Sequence, residues 1–314
     1  MSNSVTADHN ILPPHSTEDA AITIHASAKL NLGLRVFPRR PDGFHDIESW
    51  FVPISLCDTL IFQKADVLTL TVTGLSAGLS SALEDNLVGR AAIALARAAK
   101  IDPKADIHLH KLIPTGGGLG GGSSDAAATL LALRQLWNVS ISSSELRSIA
   151  AQLGSDVPFF IDGQSAICRG RGESIEPLPL HRPLFAVLII PPYGTSTKEV
   201  YQAFDHQSPP PSRAAIHWKE LAYQTAAHIS TAIYNDLETP AFAVTPALRD
   251  LRFEINAIAK CPVHVSGSGS TLFILIDQPA AAESMAELLA RALNQKIHIV
   301  PVQIEQTLPV SLKA

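Results

Sequence analysis

The sequence predicts an α+β protein rather than a doubly wound one, on three observations. Its candidate strands come in groups instead of alternating one for one with helices. Of its 314 residues, 46% are hydrophobic and 17% charged, which provides for a core and, by length, about two domains. Pro177, Pro179 and Pro183 punctuate the middle of the chain and divide it into residues 22–180 and 181–314.

The elements follow in order. Residues 1–21 are mostly polar, carry Pro13-Pro14, lack any period, and read as a mobile tail. Residues 22–37 mix β-branched and alternating apolar positions and form one long or two short strands. Residues 47–56, 59–63 and 66–73 continue the β pattern, with Leu68, Leu70 and Val72 on one face. Asp85 or Asn86 caps an Ala-rich helix that runs to Lys100. A strand at Asp106–Lys111 leads into a glycine tract, then a helix from about Ser123 to Trp137, and a second helix from Ser142 to near Gly154. Short strands near 165–169 and 173–178 close the first half. The second half holds strands at Leu184–Ile190, 263–266, 271–276 and 297–304. Its helices are expected near 195–205, 213–229, 246–259 and 279–294, with a surface loop at 208–211 (SPPP).

Composition excludes several classes. A net charge of −5 gives no electrostatic reason to bind nucleic acid or anionic lipid. The longest purely apolar run, Leu184–Ile190, is far short of the roughly 20 residues of a membrane span. No Lys or Arg precedes Lys29, so neither a signal peptide nor an Arg-rich transit segment is expected. Cys57, Cys168 and Cys261 are distant and form no CxxC pair, which suits a reducing, cytoplasmic setting.

The strongest chemical signal is PTGGGLGGGSS at 114–124. Six of the chain's 18 glycines fall in the seven positions 116–122. Glycine costs backbone entropy, so such a run implies close backbone approach or positive φ. Placed between a strand and a helix, it offers backbone N–H groups beside the positive end of a helix dipole, an anion site that suits phosphate. It is not a Walker A loop, because the chain contains no Gly-Lys dipeptide. Gly116-x-Gly118-x-x-Gly121 matches the dinucleotide fingerprint only formally, late in the domain, and Glu145, the candidate ribose acid, opens a helix.

Three further segments carry candidates. In GSDVPFF, Asp156 lies among apolar residues and suits a base or charge partner, although a cap or Asx-turn before Pro158 explains it equally. Lys29 is the first cation of the chain, in a strand poor in charge; on its own it reads as an edge-strand lysine. The turn Pro41-Asp42-Gly43-Phe44-His45 presents an aromatic ring and an imidazole that can sandwich and hydrogen-bond a planar ligand, or serve as a turn alone. Ser266-Gly267-Ser268-Gly269-Ser270 is either a second glycine loop or a hairpin turn.

Taken together, Ala28-Lys29-Leu30-Asn31-Leu32, the DGFH turn, PTGGGLGGGSSDAA, GSDVPFF, PPYGTSTKEVY at 191–201 and SGSGSTLF at 266–273 resemble the GHMP kinase superfamily in content and order. The doubled glycine tract with DGFH brings the resemblance to the branch whose substrate is a cytidine diphosphate derivative of methylerythritol. It runs from about residue 22 to the end. The resemblance implies a two-domain fold with its active site in the interdomain cleft, and ATP with Mg²⁺ as cofactors. ATP would contact Pro114, Thr115, Gly116, Gly117, Gly118, Leu119, Gly120, Gly121, Gly122, Ser123 and Ser124. Asn86 and Lys111 would lie near the adenine, and Ser124 is a candidate metal neighbour. Phe44 and His45 would hold the cytosine and Asn31 would contact the substrate. Asp156 would activate the acceptor hydroxyl, with Lys29 orienting it and keeping Asp156 ionised. Family members usually carry Tyr at the position of Phe44; stacking survives that change and a phenolic contact is lost. The implied partner is a small molecule, with neither nucleic acid nor membrane, and the chain is expected to be a monomer or weak homodimer. Two alternatives stay open: a kinase for another small alcohol such as mevalonate or homoserine, and a non-catalytic RNA-binding or ligand-sensing relative.

Overall fold

The structure is a computed structural model that describes residues 21–75, 80–207 and 213–307. Apart from residue 21, the expected amino-terminal tail lies outside these residues, as does the 208–211 loop.

Two long strands organise the first half. β1 (Ile22–Arg39) and β2 (His45–Gln63) pair antiparallel along almost their whole length. β2 is the hub: it also pairs with β4 (Asp106–Lys111) through Thr59–Gln63 and with β5 (Ala166–Gly170) through Ile47–Phe51. β3 (Thr69–Gly74) joins β4 in parallel, and β6 (Ser174–Pro177) forms a hairpin with β5. In the second half β10 (His298–Ile304), β7 (Leu184–Ile190), β9 (Leu272–Ile276) and β8 (His264–Val265) form an antiparallel series. The two series meet where Ile304 of β10 pairs with Ile54 of β2. Trp50, Phe51, Val52, Ile54, Leu60 and Phe62 on β2 are all buried, so the strand that links every layer also carries much of the core.

The helices pack against this sheet. In the first half they are α1 (Leu87–Ala99), α2 (Gly121–Leu136), α3 (Ser143–Leu153) and α4 (Val157–Asp162). In the second they are α5 (Thr197–Asp205), α6 (Trp218–Leu221), α7 (Ala226–Ala232), α8 (Glu238–Val244), α9 (Pro246–Ala259) and α10 (Pro279–Ala292). Caps explain several boundaries. Asn86 accepts from Val88 N at the start of α1, and Lys100 ends that helix in the left-handed region. Ser142 and Glu145 form a capping box on α3. Among the described residues, no helix is long and apolar enough to cross a membrane.

The structure departs from the sequence reading at four places. The strands expected on either side of Cys57-Asp58 are one strand, because the Asp58 carboxylate is satisfied inside the protein by Lys111 and by the N–H groups of Leu112 and Ile113. The helix expected at 213–229 is two short helices, since Thr225 caps α7 by accepting from His228 N. The short helices α4 and α8 were not anticipated. Each has a proline in its first turn, where no N–H is required.

Candidate active site

Two register shifts in β1, between Ser27 and Lys29 and between Asn31 and Leu34, isolate Lys29 and Asn31 as a pair facing the same way. β1 pairs with the strand β2 on one edge and its other edge is covered: Lys29 N donates to Leu119 O at 2.9 Å, and Leu34, bridged to Asn235, donates its N–H to Tyr234 O at 2.8 Å. Lys29 is therefore only 4% exposed, unlike an ordinary edge lysine. Its ammonium donates to Asn31 Oδ1 at 2.5 Å and to Gly118 O at 3.0 Å. With two of three N–H donors placed, the third is left for Asp156, whose Oδ2 lies 3.7 Å away. Burial lowers the Lys29 pKa and Asp156 opposes that shift.

Asn31 is fixed in turn. Its amide N–H donates to Ser49 Oγ at 2.9 Å, and that hydroxyl donates to Gly33 O at 2.6 Å, so Oδ1 must face Lys29. Asn31 lines the cavity, and its Oδ1 orients Lys29 while one of its amide N–H groups is held by Ser49. Asp156 stands at the start of α4 but makes no side-chain cap bond, and with its side chain 30% exposed it opens onto the cavity. The helix-cap explanation for Asp156 does not hold here.

The glycine tract is polarised. Every carbonyl from Gly116 to Gly120 is turned into the protein: Gly116 O accepts from Thr195 N, Gly117 O from Thr271 N, Gly118 O from Lys29 Nζ and Ser266 Oγ, Leu119 O from Lys29 N, and Gly120 O from Ser124 N. Among the described residues, no protein group accepts from the amides of residues 115–123. That row of donors lines a cavity of about 810 Å³ and ends at the amino terminus of α2, where the helix dipole is positive. The Ser266–Ser270 segment both connects β8 to β9 and forms the floor beneath this loop. At Gly118, φ is +75° and an added Cβ would lie 2.2 Å from Ser266 O. Gly118→Ala is expected to weaken nucleotide binding at least tenfold by forcing the two loops apart. Unchanged nucleotide affinity, measured by calorimetry, would contradict it.

Lys111, expected near the adenine, has a different role. It is buried, and its ammonium is shared between Asp58 and Asp125, the latter at 2.7 Å. It also lines the cavity, with its ammonium next to Gly121. Asn86, offered for the same side, is committed to capping α1 and to Ser80 O, and does not line the cavity. Ser124 is buried in the first turn of α2; Ser123 is the serine on the cavity wall. Burial pushes the Asp125 carboxyl up from 3.8 to about 7, with Lys111 drawing it down and Asp58 raising it. Because the folded value lies above the unfolded one, Asp125 favours the folded state below pH 3.8 and loses that contribution as pH rises through about 7. Asp125→Asn should therefore gain Tm relative to the parent as pH rises across that window; parallel melting profiles would overturn this.

The DGFH turn forms the far wall. Phe44 is exposed on its ring, and the Arg171 guanidinium carbon lies 3.8 Å from the ring centroid. His45 is buried, with Nδ1 2.8 Å from Phe37 O and Nε2 3.0 Å from Asp205 Oδ1. Both ring nitrogens are thus engaged by the protein, and the ring packs at 5.5 Å against Tyr201 and Phe204. The structure brings Lys29, Asp156, the glycine tract, Phe44 and His45 to one cavity, and adds Arg171, Tyr201 and Asp205. The reading of the sequence assigned nothing to these three. The Arg169-Gly170-Arg171-Gly172 run carries Arg171 and the segment PPYGTSTKEVY ends on Tyr201, whereas Asp205 lies outside both.

Comparisons with known proteins bear on this geometry. The family model for the N-terminal domain of GHMP kinases matches residues 86–164, and that for the C-terminal domain matches residues 219–295. A 4-diphosphocytidyl-2-C-methyl-D-erythritol kinase from Pelotomaculum thermopropionicum is 40% identical over 86% of this chain and 93% of its own. The chain belongs to the GHMP kinase family, in the 4-diphosphocytidyl-2-C-methyl-D-erythritol kinase branch. A solved 4-(cytidine 5'-diphospho)-2C-methyl-D-erythritol kinase is 34% identical with a TM-score of 0.73, covering 90% of this chain and 99% of that one. The homoserine kinase of Cytophaga hutchinsonii, 18% identical with a TM-score of 0.69 over 95% and 98% of the two chains, shares the GHMP kinase fold alone. In this GHMP kinase the first family segment contains the glycine tract and Asp156, both of which line the cavity.

Proposed function

We propose that this kinase transfers the γ-phosphoryl group of ATP to the 2-hydroxyl of 4-diphosphocytidyl-2-C-methyl-D-erythritol, in the non-mevalonate supply of isoprenoid precursors. The observation that carries the reading is that residues 115–123, with the carbonyls of 116–120 held inside the protein, line the same cavity as the Lys29–Asp156 pair. The amides of these residues and the α2 terminus suit the β- and γ-phosphates of ATP, with charge stabilised as it develops on the transferring group. Asp156 accepts the proton of the acceptor hydroxyl. Lys29, oriented by Asn31 and Ser49, directs its remaining N–H toward that oxygen and the carboxylate. The ring of Phe44 faces the cytosine.

Mg²⁺ belongs to the same reading. Asp156 and Ser123 offer oxygen ligands on the cavity wall, and among the described residues no cluster of three His, Cys, Asp or Glu side chains stands together. Such a sparse set suits an ion carried in largely by nucleotide phosphates, where it would neutralise their charge. The reading also takes residues 22–180 as the nucleotide-binding unit and 181–314 as the second unit. It treats the protein as a cytoplasmic monomer or weak homodimer without a nucleic-acid partner; three unpaired cysteines and a net charge of −5 support this. The deciding experiment is ADP release from ATP and Mg²⁺ with and without the cytidine diphosphate acceptor. Release that requires the acceptor supports the assignment, and release with mevalonate or homoserine instead would replace it.

A further inference from the structure

We propose that Arg171 binds the diphosphate of the acceptor, held ready for it by its stack on Phe44. This deepens the functional reading above and rests on it. Arg171 is the tip of the β5–β6 hairpin, between Gly170 and Gly172, whose φ values are +69° and +122°. On one side this tip abuts the catalytic carboxylate: a Cβ added at Gly172 would lie 3.1 Å from Ser155 O and 3.6 Å from Asp156 Oδ1. On the other side the guanidinium lies 3.8 Å over the Phe44 ring. Arg171 therefore spans the interval between the group that meets the acceptor hydroxyl and the ring that faces the base. In a cytidine diphosphate ester of methylerythritol, the part of the molecule between base and alcohol is the ribose and the diphosphate.

The charge balance supports an anion there. Arg35, Arg39, Arg40 and Arg169, on the neighbouring strands and turn, each pair with a carboxylate: Glu48, Asp205, Asp42 with Asp46, and Glu48 with Glu176. The Phe44 N–H foremost draws the Asp42 carboxyl down and Arg171 adds to this electrostatically. Among the described residues, however, Arg171 alone of these five makes no salt bridge, and its Nε is buried without a hydrogen-bond partner while the side chain lines the cavity. A planar fork of N–H donors left without an acceptor matches two phosphate oxygens, and the aromatic stack orders the fork before the ligand arrives. One face of Phe44 is taken by the guanidinium, so the cytosine has the other.

The test measures KM for the acceptor and for ATP, together with competitive inhibition by CDP and by cytidine, in the parent, Arg171→Met and Arg171→Lys. Losing the charged contacts should raise the acceptor KM and weaken CDP by about 10- to 100-fold in Arg171→Met. Cytidine inhibition and the ATP KM should move by less than about threefold, and Arg171→Lys should recover part of the loss. An unchanged ratio of CDP to cytidine inhibition in a folded, active Arg171→Met would overturn the assignment of Arg171 while leaving the functional reading intact. A parent enzyme that shows no acceptor-dependent ADP release would overturn both.

Discussion

Asp156→Asn is expected to lower kcat by about 10²- to 10⁴-fold, the range associated with a positioned proton acceptor, while ATP affinity stays within about twofold. The asparagine keeps the shape of the side chain but accepts no proton and leaves the Lys29 ammonium without its carboxylate neighbour 3.7 Å away. ATP affinity should hold because the carbonyls of residues 116–120, which fix the tract, are held by Thr195, Thr271, Lys29, Ser266 and Ser124 and none by Asp156. Stability should change little, since Asp156 does not cap α4. Single-turnover assays with nucleotide titration separate the two effects. Turnover close to that of the parent would remove Asp156 from the chemistry, and lost ATP binding would make it part of the phosphate site.

The second large effect falls on folding. Lys111→Met should destabilise the protein by roughly 3–5 kcal/mol, because it leaves the buried carboxylates of Asp58 and Asp125 facing each other without a cation. Asp58 retains the N–H groups of Leu112 and Ile113, whereas Asp125 already has one oxygen without a partner, so most of the cost lies there. Lys111→Met combined with Asp125→Asn should recover part of the loss, a coupling that urea unfolding of the four proteins measures directly. A Lys111→Met protein as stable as the parent, with weakened ATP binding, would return Lys111 to the nucleotide site.

What could be read in the sequence was whatever local chemistry decides. The strands at Asp106–Lys111 and Leu184–Ile190 have the observed bounds, because alternation or a continuous apolar run marks them. Asn86 was legible as a cap, and its side chain is engaged in that role. The glycine tract declared itself through composition. Arg171, Tyr201 and Asp205 did not, because each reaches the cavity by tertiary pairing: a hairpin tip laid on Asp156, and a helix laid against His45. Lys29 looked like a surface strand lysine until Leu119 and Gly118 covered it. The break at Thr225 escaped the sequence reading, which followed the helical period of 213–229 and not the capping chemistry of that threonine.

The inward carbonyls of the glycine tract have a consequence for assembly. The tract lies at 116–122, but Thr195, Ser266 and Thr271, which hold three of its carbonyls in place, come 79 to 154 residues later. Closing loops of that length carries an entropic penalty that is recovered only when the later segments dock. During synthesis Lys29 and Ser124 can hold the carbonyls of Gly118, Leu119 and Gly120, yet those of Gly116 and Gly117 stay without their partners until residues 195 and 271 have emerged. The ability to hold a nucleotide is then the last property the growing chain acquires.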